Sequence, residues 1–191
     1  MNVKSFIEKF FFKKRHIIHV HNNPQYSDYV FSTSMADFDI EPLLGEVDQR
    51  FANYLIMRKN NPAWVMFYYK KDNEIYGYSF LHVPQQEEWN DCLPTMPQET
   101  RVGSAFVYPE HRGKRVISEI YKVQRRYAIE NSLKFWGIIE NSNNSSIRSL
   151  SENAYIARKN YLVKFFKLNI LSVLTNPFKI YVLFGKRRAN R

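Results

Sequence analysis

The densest chemistry in the chain lies in residues 107–121, VYPEHRGKRVISEIY. Pro109 stops an apolar, β-like run, Gly113 follows in a basic loop, and a helical pattern begins. The main-chain N–H groups of Arg112 to Ile117 open that helix, where they have no intrahelical acceptor. Together with the helix dipole they make an anion site. Lys114 and Arg115 add positive charge and Ser118 adds a hydroxyl, a set suited to a pyrophosphate. The plain alternative is an ordinary strand-to-helix turn with a solvated basic loop. Three side chains further off could handle a proton: Glu140 at the end of an apolar run, His82 among aromatics, and Tyr108. His16, His19 and His21 alternate, but no neighbouring Cys or acid completes a metal set, and no metal is expected. Cys92 has no identifiable partner for nucleophilic chemistry.

The elements that must position these groups follow from periodicity. Val3, Phe6, Ile7, Phe10 and Phe11 predict a helix over 3–14, and His16 to Val20 a short strand. Leu43, Leu44, Val47, Phe51 and Leu55 predict one helix over 39–58, ended by Asn60-Asn61-Pro62. Residues 64–69 and 75–83 read as an aromatic hairpin, 84–98 as a polar loop, and 101–108 as a strand. Val116, Ile117, Ile120, Val123, Tyr127 and Ala128 form one face of a helix over 113–132. Residues 135–139 form an inner strand and 143–153 a short helix. The tail reads as strands over 155–158, 161–166, 168–174 and 178–184, with Lys159-Asn160 and Thr175-Asn176-Pro177 as turns. The sum is a mixed α/β sheet covered by helices.

The 107–118 segment resembles the GNAT superfamily of acyl-CoA N-acyltransferases. Val107, Pro109, Arg112, Gly113 and Lys114 fit a Val-x-Pro-x-x-Arg-Gly-Lys form of the family's first motif. Residues 143–155, NNSSIRSLSENAY, overlay a second one: Asn143 on the family Asn, Ser146-Ile147-Arg148 on a small-apolar-basic triplet, Ala154-Tyr155 on Gly-Phe. The resemblance implies a twisted, mostly antiparallel mixed sheet with helices on both faces and a splayed central strand pair. It implies acetyl-CoA as co-substrate, held by Arg112, Gly113, Lys114, Arg115, Val116, Ile117 and Ser118, with Asn143 near the pantetheine. The pantetheine would lie between Ala105–Val107 and Trp136–Glu140, and an N–H near Phe106 or Val107 would polarise the thioester. The chain departs from the family where Arg115 and Ile117 take glycine-type positions and Leu150 takes that of a Tyr general acid. Glu140, His82 and Tyr108 are therefore the candidates for proton transfer.

Composition sets the remaining bounds. The chain has 191 residues, with 45% hydrophobic, 16% aromatic and 24% charged side chains. It is expected to form one domain over 16–166, a basic aromatic helix over 1–15 and a basic strand-rich extension over 167–191 packed on the same domain. Its single Cys excludes an internal disulfide framework. The net charge of +10 sits at the ends: residues 1–15 hold five basic side chains against one acid, and residues 156–191 hold nine against none. That pattern suits an anionic acceptor or peripheral membrane contact through the ends. No apolar run approaches the roughly 20 residues of a membrane span and the N-terminus is a poor signal peptide, so a cytoplasmic location is expected. The function these readings converge on is acetyl transfer to a primary amine, such as an amino sugar of surface-polysaccharide synthesis, by direct attack in a ternary complex. The alternatives are a degenerate GNAT-fold binding module without catalysis and, less expected, nucleic-acid binding through the basic tail.

Overall fold

The aromatic pair of runs at 64–71 and 74–82 fixes the centre of the molecule. In the computed structural model, which describes residues 13–21, 26–90, 93–140, 143–151, 155–165, 168–173 and 180–183, these runs are β3 (Trp64–Lys71) and β4 (Glu74–His82). They are joined by a two-residue turn in which Asp72 and Asn73 both have positive φ, 51° and 67°. That geometry matches the twist of a hairpin, and Asp and Asn are among the side chains that tolerate it. The other strands are β1 (Lys13–His21), β2 (Val30–Ser34), β5 (Glu88–Asn90), β6 (Leu93–Thr95), β7 (Glu99–Val107), β8 (Lys134–Glu140), β9 (Tyr155–Phe165), β10 (Leu168–Val173) and β11 (Ile180–Leu183). The helices are α1 (Glu41–Leu44), α2 (Gln49–Lys59), α3 (Val116–Glu130) and α4 (Asn144–Ser151).

Among the described residues, nine strands form one sheet in the order β11-β10-β9-β1-β8-β7-β4-β3-β2, and β5-β6 form a separate ribbon. Every pairing in the large sheet is antiparallel except β7 with β8. Side chains alternate between two cores. Phe67, Leu81, Phe135 and Ile139 pack with Val116, Ile120 and Tyr121 of α3 on one face. Trp64, Met66, Tyr78, Phe80 and Tyr108 pack with Leu43 and Leu55 of α1 and α2 on the other.

Several expectations are corrected. Residues 13–15, read as the end of a helix, belong to β1, where Lys14 pairs with Val163 of β9 and Arg15 with Glu140 of β8. Residues 1–12 lie outside the described residues. The single helix over 39–58 is two: a turn through Gly45 ends α1, and Asp48 starts α2 by accepting a hydrogen bond from the Phe51 N–H at 2.9 Å. Strand β2 was not anticipated, and part of the 84–98 loop is the small β5-β6 ribbon. Lys159-Asn160 is not a turn; β9 runs through it because both residues pair with β1. The strands of the 167–191 extension continue the same sheet through β10 and β11, and its remaining residues lie outside the described set. Among the described residues no helix is long and apolar enough to cross a membrane.

Gly77 carries the close approach of β4 to β7. A Cβ there would stand 2.6 Å from the Phe106 carbonyl oxygen and 3.2 Å from the Val107 Cα. These are backbone atoms and cannot swing aside. Gly77→Ala is expected to destabilise the fold by about 1–3 kcal/mol, read as a lowered midpoint in thermal or urea unfolding.

Candidate active site

The parallel strands β7 and β8 pair over only four steps, Glu99 with Lys134 through Val102 with Gly137. Beyond Val102 and Gly137 they have no register and diverge. On its other edge β7 carries a bulge: Ser79 and Leu81 of β4 stand opposite Ala105 and Val102, so one extra residue is inserted around Gly103 and Ser104. Gly103 belongs there because a Cβ would meet the Trp64 ring at 2.8 Å and the Phe80 Cβ at 3.1 Å. Arg58 of α2 covers this point, its guanidinium 4.3 Å from the Trp64 ring and 4.5 Å from the Phe80 ring, with Nη2 3.4 Å from the Ser104 hydroxyl.

The gap between the strands is a cavity of about 310 Å³, walled by Val102–Ala105 on one side and Gly137–Ile139 on the other. Tyr121, Asn143 and Ser146 close it. Ala105 and Ser146 also line a larger groove of about 740 Å³ that runs to the start of α3. Phe106, Val107, Arg112, Gly113, Arg115, Val116, Ile117 and Ser118 all border this groove.

The turn into α3 decides which of the amides beside that groove are left without an acceptor. Gly113 has φ +78° and Arg115 has φ +59°, both left-handed. The Arg112 and Lys114 N–H groups are consumed by the turn, bonding to Pro109 O at 3.3 Å and His111 O at 3.4 Å. The N–H groups of Gly113, Arg115, Val116, Ile117 and Ser118 have no acceptor among the described residues. The expected run of donors from Arg112 to Ile117 is thus shifted and interrupted. Arg115 adopts the conformation a glycine would take, at a cost of about 1–2 kcal/mol for a residue with a Cβ. Lys114 does not line the groove: its Nζ lies 3.3 Å from His111 Nδ1 and 5.6 Å from the centre of the Tyr76 ring. Arg148 of α4 brings a further cation to the groove, and Asn144, Ser145 and Ser149 join it. Sequence reading placed Arg148 in a motif without giving it a role; the others carried no signal of their own.

Asn143 occupies two roles at once. Its Oδ1 accepts from the Ser146 N–H at 3.1 Å, capping α4, and its carbonyl accepts from the Ile147 N–H at 3.1 Å. It also borders the cavity between the strands.

The proton-transfer candidates are separated. Glu140 ends β8 on the diverging side, its backbone opposite Arg15 of β1; its side chain lies outside the described residues. His82 sits at the paired end of the sheet, opposite Arg101, and is 1% exposed. It stacks on Trp64 at 4.7 Å, and its Nε2 is 2.9 Å from Glu88 Oε2. Neither cavity at the splay includes it. Tyr108 is buried on the α1 face and borders a different cavity. Burial, then the nearby Glu46 carboxylate, pushes its hydroxyl far above the ordinary phenol range. Of the three candidates, the structure brings only the backbone of Glu140 to the splay. The expected frame of Trp136–Glu140 is also narrowed, because Trp136 still pairs with Arg101.

His82 has a consequence for stability. Burial lowers its pKa, outweighing the Glu88 hydrogen bond. A histidine kept neutral in the fold is proton-free when the unfolded chain begins to protonate near pH 6.5. Stability is therefore expected to fall as pH drops below about 6.5, by up to roughly 1.4 kcal/mol per pH unit until the folded-state pKa is reached. Urea unfolding between pH 7.5 and 5 checks this, and His82→Gln should flatten the slope.

No protein-family model and no curated protein matches the sequence. Solved structures do match in shape. An acetyltransferase of the GNAT family from Colwellia psychrerythraea superposes with a TM-score of 0.59 at 9% identity, covering 86% of this chain and 62% of the other. A GNAT-family structure from Novosphingobium aromaticivorans DSM 12444 gives 0.57 at 10% identity, covering 80% and 63%. A GCN5-related N-acetyltransferase from Sphaerobacter thermophilus gives 0.52 at 9% identity, covering 84% and 54%. The chain has the GNAT fold, and it spans less than two thirds of the length of these structures.

Proposed function

We propose that the chain is an acetyl-CoA-dependent N-acetyltransferase. The observation that carries this reading is the continuity of two cavities: a strand gap opening beyond Val102 and Gly137, and a groove ending on the unpartnered amides of Gly113 and Arg115–Ser118. The groove end offers N–H donors and Arg112, Arg115 and Arg148 to a pyrophosphate; the gap offers strand edges, the apolar side chains of Val102, Ile138 and Ile139, and the polar Ser104, Asn143 and Ser146 to a thin chain that carries amides and ends in a thioester. In the reaction the amine lone pair forms the N–C bond, the C–S bond breaks, and the thiolate leaves and takes up a proton. A base takes from the attacking nitrogen the proton that it must lose to become an amide. Glu140 is assigned that role, directly or through water, because its strand ends beside the gap. Main-chain N–H groups of β7 past the bulge are assigned to the thioester oxygen, on the strand that carries Phe106 and Val107.

For the acceptor, the basic ends of the chain favour a primary amine on an anionic carrier, such as a nucleotide-linked amino sugar. The same ends support peripheral contact with an anionic membrane. Calorimetric titration with acetyl-CoA tests the reading: one saturable site is expected, competed by CoA and weakened by Arg115→Glu. Absence of binding would leave the non-catalytic alternative, which Arg115 in a glycine position motivates.

A further inference from the structure

The bulge in β7 re-aims a side chain as well as bending the strand. In a regular strand every second residue shares a face. Here Val102, Ala105 and Val107 pack with the α3 core, while Phe106 and Tyr108 pack with the α1 and α2 core. Val102 and Ala105 are three residues apart and still share a face, so Gly103 and Ser104 stand together on the other one. Their neighbours agree: a Cβ at Gly103 would meet Trp64 and Phe80, and the Ser104 hydroxyl meets Arg58 of α2. Without the inserted residue Ser104 would fall with Val102, on the α3 side.

The Ser104 hydroxyl borders the strand gap with a hydrogen to spare. Its Oγ accepts from Arg58 Nη2 at 3.4 Å, a long bond, and Ser104 lines the gap cavity. A hydroxyl carries one hydrogen and two lone pairs. The Arg58 contact uses a lone pair, and the hydrogen has no acceptor among the described residues. Arg58 itself is 8% exposed, with its guanidinium 4.3 Å from the Trp64 ring, 4.5 Å from Phe80 and 5.3 Å from Tyr54. Arginine keeps its charge throughout the working pH range. A fixed cation behind the oxygen polarises the O–H and makes it a stronger donor, and among buried rings that effect is weakly screened. Arg58 only donates, so it cannot take the serine proton. Ser104 is therefore equipped as a donor and not as a nucleophile.

We propose that the Ser104 hydroxyl donates a hydrogen bond to the carbonyl oxygen of a thioester held in the gap, with Arg58 as the positioning residue that polarises it. The inference rests on the acyl-transfer reading and adds a side-chain donor to the main-chain N–H groups of β7. As the amine nitrogen forms the N–C bond, the carbonyl π pair moves onto oxygen. The hydroxyl meets that charge without giving up its proton, and the pair returns as the C–S bond breaks.

Isotope-edited infrared spectroscopy of the full chain, with acetyl-CoA labelled at the acetyl carbonyl carbon, tests this without an acceptor amine. Relative to the parent complex, Ser104→Ala is expected to raise the carbonyl stretching frequency, because the bond loses a polarising donor. Ser104→Thr keeps the hydroxyl and should hold the frequency near that of the parent. Arg58→Met should raise it by a smaller amount than Ser104→Ala. Acetyl-CoA affinity falls by only roughly 2–10-fold in Ser104→Ala, the worth of one ordinary hydrogen bond. Circular dichroism establishes that each variant is folded. An unmoved stretch in a folded Ser104→Ala that still binds acetyl-CoA overturns the assignment and leaves the acyl-transfer reading standing. An unmoved stretch in Arg58→Met overturns the part given to Arg58. A parent chain that binds no acetyl-CoA removes the acyl-transfer reading, and this inference with it.

Discussion

Glu140→Gln is expected to lower turnover by roughly 10²–10⁴-fold, the usual contribution of a general base, while acetyl-CoA affinity stays near that of the parent. Gln keeps the shape and one hydrogen-bonding oxygen but has no basicity. The placement rests on backbone alone: β8 leaves β7 after Gly137, and Glu140 is the last residue of the diverging strand, still anchored to β1 opposite Arg15. The competing candidates are committed elsewhere, His82 to Glu88 and Trp64, and Tyr108 to the α1 face. Steady-state rates across pH 6–9 with separately measured acetyl-CoA binding make the check. A Gln variant with full turnover over that range would remove Glu140 from the mechanism and leave an amine that arrives already deprotonated.

The second large effect is expected from Gly113→Pro, a fall in acetyl-CoA affinity of about 100-fold, or near 3 kcal/mol. Gly113 has φ +78°, and proline is locked near −65°, so the turn that aims the α3 amides cannot form. The substitution also deletes one of the unpartnered N–H donors. Gly113→Ala separates the two causes. A Cβ at this position meets nothing within 4 Å, so Ala keeps the donor and pays only the left-handed strain of about 1–2 kcal/mol. Calorimetry showing unchanged affinity in a folded Pro variant would place the pyrophosphate elsewhere.

Local signals made part of this legible. Helix α3 shows in the spacing of Val116, Ile120 and Ala128, and its start shows in Pro109 and Gly113, because those effects act within a few residues. The strand pair that forms the gap was also readable, since 101–108 and 135–139 are dense apolar runs. Its opening point, just beyond Val102 and Gly137, depends on register between strands and has no mark in either run alone. The bulge at Gly103 and Ser104 has no local signature; it exists only against β4. Strand β2, VFSTS, escaped notice because Phe31 and Ser32 are both exposed on an edge strand, so its burial does not alternate. Lys159-Asn160 looked like a turn by residue type, and pairing with β1 overrode that preference. Tyr108 looked like a catalytic candidate by its place after Val107, but strand alternation sends it to the opposite core.

The four-step contact between β7 and β8 has a further meaning for how the molecule breathes. Among the described residues it is the only strand pairing that joins the β11-β10-β9-β1-β8 half of the sheet to the β7-β4-β3-β2 half. Beyond it the halves are bridged by α3, which packs against strands of both. Amides along such a seam exchange with solvent through local opening rather than through global unfolding. A ligand threaded between the halves acts as a stitch, and at 100 times its dissociation constant it deepens the folded state by about 2.7 kcal/mol. The slowing of amide exchange should then concentrate at Val102–Ala105 and Gly137–Ile139, leaving the outer strands nearly untouched. The proposed co-substrate and the four-step hydrogen-bond ladder would then be parts of one structural element, together joining the two halves of the sheet.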